Sequence, residues 1–270
     1  MMNTLRQIYF FVVGWLISAL WGGIALVGQT IVGGTWVLRA EQGWGRWVMR
    51  ACGIRVKVST EQDFDLQQHY VYACNHQSLF DILALGGFLP QLVGFVAKKE
   101  LRSWPIVGWA IKQAGYVLID RSAGRQALKA MRAAGETIRN NNSIVIFPEG
   151  TRSPNGELRR FKRGALVLAR AARVPIVPVA IVGSGDRLPK GSWKVTPGEI
   201  GIHIGQPIPY AEFATADDFD FTEKLRAKVA ELAGESMTKV HKVSRPSPNE
   251  PADMPPEQIA HPSQHASSSL

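Results

Sequence analysis

The chain has 270 residues, 46% hydrophobic and 20% charged, which is enough apolar side chain for a substantial core and excludes a wholly disordered protein. Its 31 Lys and Arg against 22 Asp and Glu leave a net charge of +9 with histidine neutral. That surplus calls for an anionic partner: nucleic acid, anionic lipid or a phosphorylated small molecule. The two cysteines, Cys52 and Cys74, form no C-x-x-C and no metal-ligand spacing, so neither a disulfide scaffold nor a metal site is expected.

From Gln7 to Leu38 there is no charged residue, a run of 32. A helix needs about 20 apolar residues to cross a hydrocarbon core, so Gln7–Val27 is long enough. A secretory signal is shorter in its apolar part and ends at a small-residue cleavage site, which this run lacks. The glycine pairs Gly22-Gly23 and Gly33-Gly34 divide the run and could bend it into a helical hairpin. Thr35 to Gly53 then mixes Trp36, Trp44, Trp47 and Val48 with Arg39, Glu41, Arg46 and Arg50, the pattern of an interfacial amphipathic segment. Five of the eight tryptophans fall in the first 47 residues, and tryptophan favours the headgroup level. Residues 1–52 are therefore expected to be a membrane-associated helical segment. The alternative is a core helix pair of a soluble protein. Cations at both ends (Arg6, then Arg39 and Arg46) leave open whether the segment spans the bilayer or enters one leaflet.

After Gly53 short apolar runs alternate with helical patterns. Ile54–Val58, Tyr70–Cys74, Leu92–Ala97, Tyr116–Ile119, Ser143–Phe147, Ile176–Val182 and Glu199–Ile204 read as strands. Ala127, Leu128, Met131, Gly135 and Ile138 recur at helical spacing, as do Leu225, Val229 and Leu232. The expected fold of residues 53–242 is α/β, a mixed sheet flanked by helices and preceded by the hairpin. Residues 243–270 hold six Pro and six Ser without apolar periodicity and read as a disordered tail.

Four patches stand at or beside predicted strands, where α/β folds place their sites. In Asn75-His76-Gln77-Ser78-Leu79-Phe80-Asp81, a loop turning into a helix could bring the Asp81 carboxylate back onto the His76 imidazole, leaving the other ring nitrogen as a general base. The alternative is a surface histidine beside a helix N-terminal carboxylate. Ser78 lacks the G-x-S-x-G elbow of a nucleophile and reads as a helix cap or positioning hydroxyl. Gly115 to Arg121 is a strand that ends in Asp120 and Arg121, a phosphate fork or a surface ion pair. In Phe147-Pro148-Glu149-Gly150-Thr151-Arg152-Ser153, Pro148 and Gly150 stiffen and then free the backbone so that amides can approach a ligand, with Gly150 and Thr151 as candidate substrate-binding residues. Glu149 could accept hydroxyl hydrogen bonds, and Arg152 could grip phosphate. Val174–Ala180 reads as a core strand, or as a wall of an acyl-binding surface. Residues 98–173 carry 16 Lys and Arg against five acidic residues, with Lys98 and Lys99 beside the patches.

Taken in order, the patches resemble the glycerolipid acyltransferase family, typified by 1-acylglycerol-3-phosphate acyltransferases, over roughly residues 50–210. The resembling motifs are N-H-x4-D at Asn75–Asp81, G-x5-R at Gly115–Arg121, F-P-E-G-T-R-S at Phe147–Ser153 and V-P-I-V-P-V at Val174–Val179. The resemblance implies His76 as base with Asp81 its partner, and Arg121, Glu149 and Arg152 at the glycerol phosphate acceptor. It implies acyl transfer to the sn-2 hydroxyl of 1-acylglycerol 3-phosphate, giving phosphatidic acid. It further implies an acyl-CoA or acyl-carrier-protein co-substrate, no cofactor or metal, and membrane lipids as partners. Nucleic acid is not expected, since no recognition helix or aromatic-basic ribbon is present. The implied location is a membrane, at the cytoplasmic face of the inner or plasma membrane.

Overall fold

The computed structural model describes residues 2–61, 65–120, 124–140 and 142–234. The expected Pro/Ser-rich tail lies outside them. Helix α1 (Met2–Ile31) runs 30 residues, about 45 Å at 1.5 Å per residue. It passes through Gly22-Gly23 unbroken, so only the second glycine pair divides the run. A helical glycine costs about 1 kcal/mol, less than leaving backbone groups unpaired in an apolar run. The chain reverses at Gly33 and Gly34, whose φ values of 69° and 57° suit glycine. Helix α2 (Trp36–Ala51) then folds back along α1, with Trp36 Nε1 donating to Ile24 O (3.0 Å) and Trp44 Nε1 to Ser18 Oγ (2.9 Å). The outer face of α1 presents Leu5, Ile8, Phe11, Trp15, Leu16 and Leu20, each more than half exposed. A core helix would bury that face; here 6% of its most apolar window is buried.

The seven predicted strands all form, with ends displaced by at most two residues. They are β1 (Ile54–Thr60), β2 (Val71–Cys74), β3 (Val93–Lys98), β4 (Val117–Ile119), β5 (Ser143–Ile146), β6 (Ile176–Val182) and β7 (Gly198–Ile204). They make one mixed sheet in the order β1-β7-β6-β2-β5-β3-β4. Strands β2 to β6 run parallel, so their C-terminal ends share one edge; β7 is antiparallel to β6 and pairs in parallel with β1. Central strands buried on both faces read as continuous apolar runs. In β2, Val71 and Ala73 face one core while Tyr72 and Cys74 face the other, all fully buried.

On one face of the sheet lie α5 (Gly124–Ala133), α6 (Gly135–Asn140), α7 (Gly164–Ala172), the short α9 (Tyr210–Phe213) and α10 (Asp218–Ala233), around Phe161, Leu166 and Phe213. The pattern from Ala127 to Ile138 resolves into two helices, with Gly135 set so close against the Ala171 backbone that no side chain would fit. On the other face α3 (Phe80–Phe88) packs beneath α2. Gly45 of α2 meets α3 so closely that a Cβ would sit 2.5 Å from Leu83 O. Arg46, expected as an interfacial cation, donates its Nε to Gly87 O at 2.6 Å. The turn Lys99–Ser103 and α4 (Pro105–Gln113) join β3 to β4, and α8 (Ser184–Arg187) follows β6. The hairpin is thus clamped to the helix that carries Asp81.

Candidate active site

The site begins where β2 ends. Asn75 replaces the next rung of the β2–β6 ladder with its side chain: Nδ2 donates to Ile181 O (2.8 Å) and Oδ1 accepts from Ile181 N (2.7 Å). A fully buried amide thus satisfies both backbone groups of its neighbour, as a buried polar group must. This fixes the loop from which His76 projects. Ser78 lies two residues ahead of α3, its Oγ accepting from Phe80 N (3.1 Å) while donating to Leu188 O (2.7 Å). Its hydroxyl is engaged both as donor and as acceptor.

Because α3 begins at Phe80, Asp81 lies in its first turn and faces back over the loop. Its Oδ2 accepts from His76 Nδ1 (2.7 Å), Gln77 N (2.7 Å) and Ser78 N (2.8 Å). The surface alternative for His76 is therefore replaced by a buried pair, with 8% of the His76 side chain exposed and none of Asp81. Two backbone donors and a carboxylate acceptor fix the tautomer: Nδ1 carries the proton and Nε2 holds the lone pair. The imidazole lies flat on Phe147, with centroids 3.9 Å apart and planes 14° apart. Nε2 makes no hydrogen bond among the described residues.

Glu149 follows β5. Its carboxyl is buried, with Oε1 accepting from His76 N (2.8 Å) and Oε2 from Arg159 N (3.2 Å). Burial pushes it up to about 8, against the downward pull of those two N–H groups. In these positions Glu149 braces the histidine loop. A second brace runs from Ser153 N to His76 O at 2.8 Å. Gly150 turns at φ 73°, with the Lys162 side chain beside it; Thr151 is exposed and Arg152 half-buried. Phe147 also lines an apolar cavity of about 80 Å³ with Val96, Ile119, Leu128, Met131 and Lys162.

Lys98 ends β3 exposed, and Lys99 forms an ion pair with Asp120 at the end of β4. Arg121 lies outside the described residues. Val174–Ala180 is core strand, Ile176, Val177 and Val179 being fully inaccessible. The sheet edge thus brings together His76, Asp81, Glu149, Gly150 and the Lys98-Lys99 pair. Reading the sequence missed the work of Asn75 and Phe147, although both stand inside the motifs that were singled out. It also missed a buried bond from Tyr116 to Glu41 that ties α2 to β4.

The family model described as Acyltransferase matches residues 55–182. The 1-acyl-sn-glycerol-3-phosphate acyltransferase of Pseudomonas aeruginosa is 34% identical over 214 residues, 77% of this chain and 82% of that one. The chain belongs to the acyltransferase family. Other members extend beyond the region shared with it. Human 1-acyl-sn-glycerol-3-phosphate acyltransferase alpha is 38% identical over 62% of this chain, but the match spans 59% of the human protein. For the chloroplastic Brassica napus acyltransferase BAT2 it spans 40% of the relative. The crystal structure of the 1-acyl-sn-glycerophosphate acyltransferase PlsC from Thermotoga maritima superposes with a TM-score of 0.76 at 28% identity, covering 89% of this chain and 98% of that one. This acyltransferase therefore shares its fold with PlsC over nearly its whole described length.

Proposed function

We propose that the chain transfers an acyl group from acyl-CoA or acyl-carrier-protein to the sn-2 hydroxyl of 1-acylglycerol 3-phosphate, releasing phosphatidic acid and a free thiol. The observation that carries this reading is the buried His76–Asp81 pair with Nε2 left unpartnered at the sheet edge, in a chain whose relatives bear that activity in their names. His76 Nε2 takes the hydroxyl proton as the oxygen attacks the thioester carbonyl, and the carboxylate of Asp81 supports the imidazolium that forms. Collapse of the tetrahedral intermediate breaks the carbon–sulfur bond, and the proton passes from Nε2 to the leaving thiolate. No acyl-enzyme is needed, in keeping with a Ser78 hydroxyl already committed to Leu188 O and Phe80 N. Arg121 and Arg152, with Lys98 or Lys99, hold the acceptor phosphate and so orient its hydroxyl. The thioester is a co-substrate; no cofactor or metal takes part.

The apolar outer face of α1 holds the site at a membrane, on the cytoplasmic side of the inner or plasma membrane where acyl thioesters are made. The test is thiol release from palmitoyl-CoA by detergent-purified protein, with and without lysophosphatidic acid, beside His76→Ala. Acceptor-dependent release should fall by 10²–10⁴ or more in that variant. Comparable turnover in a well-folded His76→Ala protein would refute the mechanism. Silence with every lyso-acceptor and both donors would replace it with an anionic-lipid binding role.

A further inference from the structure

The α1 face is not the only apolar surface left open. At the start of α4, Trp104 is 57% exposed, Ile106 70% and Val107 41%. These neighbours form a small apex on a stiff support. Gly108 N donates to Trp104 O at 2.6 Å, and Gly108 lies so close to Arg102 O that only hydrogen fits between them. Such an apex is presented by the fold rather than by a loose loop. Single exposed apolar residues need no explanation, but three in four positions on a rigid turn do.

Beside the apex the exposed charges are Lys98, Arg102 and Lys99, the last paired with Asp120, against Glu100. Apolar knobs ringed by cations are complementary to an anionic leaflet, whose acyl chains take the knob while its phosphates meet the ring. The location agrees. The turn leaves the C-terminal end of β3, which runs parallel to β5 and lies at the sheet edge that also delivers His76 and Glu149. The other end of α4 packs through Trp109 and Ala110 against Val37 and Leu38 at the start of α2, beside the hairpin turn where Ile31 and Val32 are exposed.

We propose that the Trp104–Val107 apex is a second membrane contact, which inserts into an anionic phospholipid leaflet independently of α1 and holds the catalytic edge at headgroup depth. This rests on the membrane association proposed above. The test uses the full chain with Ile106→Cys carrying an environment-sensitive NBD fluorophore; native Cys52 and Cys74 are buried. Lys57→Cys, on β1 with a side chain 73% exposed, is the control. With phosphatidylglycerol vesicles, the label at 106 should shift to the blue and be quenched by brominated acyl chains, while the label at 57 does neither. Replacing Trp104, Ile106 and Val107 together by Ser should lower partitioning into these vesicles at least tenfold and leave turnover of detergent-dispersed acceptor unchanged. A label at 106 that stays in water on vesicle-bound protein overturns the inference and spares the membrane reading. Failure of the protein to bind such vesicles overturns both. A blue shift without lipid that grows with protein concentration overturns it in favour of a second copy of the chain.

Discussion

Replacing Asp81 by Asn separates what the carboxylate does for the loop from what it does for the chemistry. In the native site one oxygen, Oδ2, accepts three N–H groups, while Oδ1 is buried without a partner among the described residues. An Asn side chain can therefore sit in two ways. With its amide nitrogen toward the imidazole it confronts Gln77 N and Ser78 N, two donors, and loses both bonds. With its oxygen there it keeps all three bonds, and the cost is an amide nitrogen buried where Oδ1 now lies, about 1–3 kcal/mol. The second arrangement wins, so His76 keeps the tautomer with Nε2 free. What disappears is the anion under the imidazolium. Two unit charges about 4 Å apart attract by about 4 kcal/mol at an effective dielectric constant of about 20, or roughly three decades in rate. Asp81→Asn should then lose about 10³ in kcat with little change in KM, and a modest amount of stability. Acceptor-dependent thiol release and circular dichroism read both quantities. A folded Asp81→Asn protein within tenfold of the native kcat would refute the reasoning.

Glu149 titrates from about 8 in the folded chain against an ordinary 4.5, so its contribution to stability is fully present below 4.5 and is lost as pH rises through 8. Glu149→Gln should flatten the fall in Tm between pH 5.5 and 9 relative to the native chain, and lower activity by loosening the Arg159 end of the brace; parallel Tm profiles would rule this out. Gly45→Ala puts a methyl 2.5 Å from Leu83 O, forcing α2 away from the helix that bears Asp81. It should cost about 1–3 kcal/mol, or roughly 2–4 °C of Tm per kcal/mol, measured by thermal unfolding; an unchanged Tm would show that the two helices are not in register-locking contact.

Much of the fold was legible because its central strands β2, β3, β5 and β6 are buried on both faces and so stand out as short apolar runs. The His76–Asp81 pairing was legible for a local reason: five residues that turn from strand end into the first turn of a helix bring the two side chains together. Glu149 was not legible. Its destination, the N–H of His76, is 73 residues away and depends on β2 lying beside β5 with Ala73 opposite Ile146, a register that no local pattern encodes. The same holds for the Asn75 clasp on Ile181, 106 residues downstream. Gly22-Gly23 misled because the two glycines resemble a breaker, whereas an apolar helix with no alternative partner for its backbone runs straight through them.

The sheet closes with its first strand against its last, Ser59 standing beside His203 across 144 residues of chain. During synthesis at about 5–20 residues per second, β1 therefore waits on the order of ten seconds for its partner β7 to leave the ribosome. The residues of the hairpin ahead of it are already made throughout that interval. Order of manufacture thus favours a sequence in which the apolar helix finds lipid first and the α/β domain folds afterwards against an already seated α2. The unpaired edge of β1, with its alternating Arg55, Lys57 and Ser59, is suited to that wait, since charged and hydroxylated side chains discourage a strand from joining another chain while its own partner is still being made.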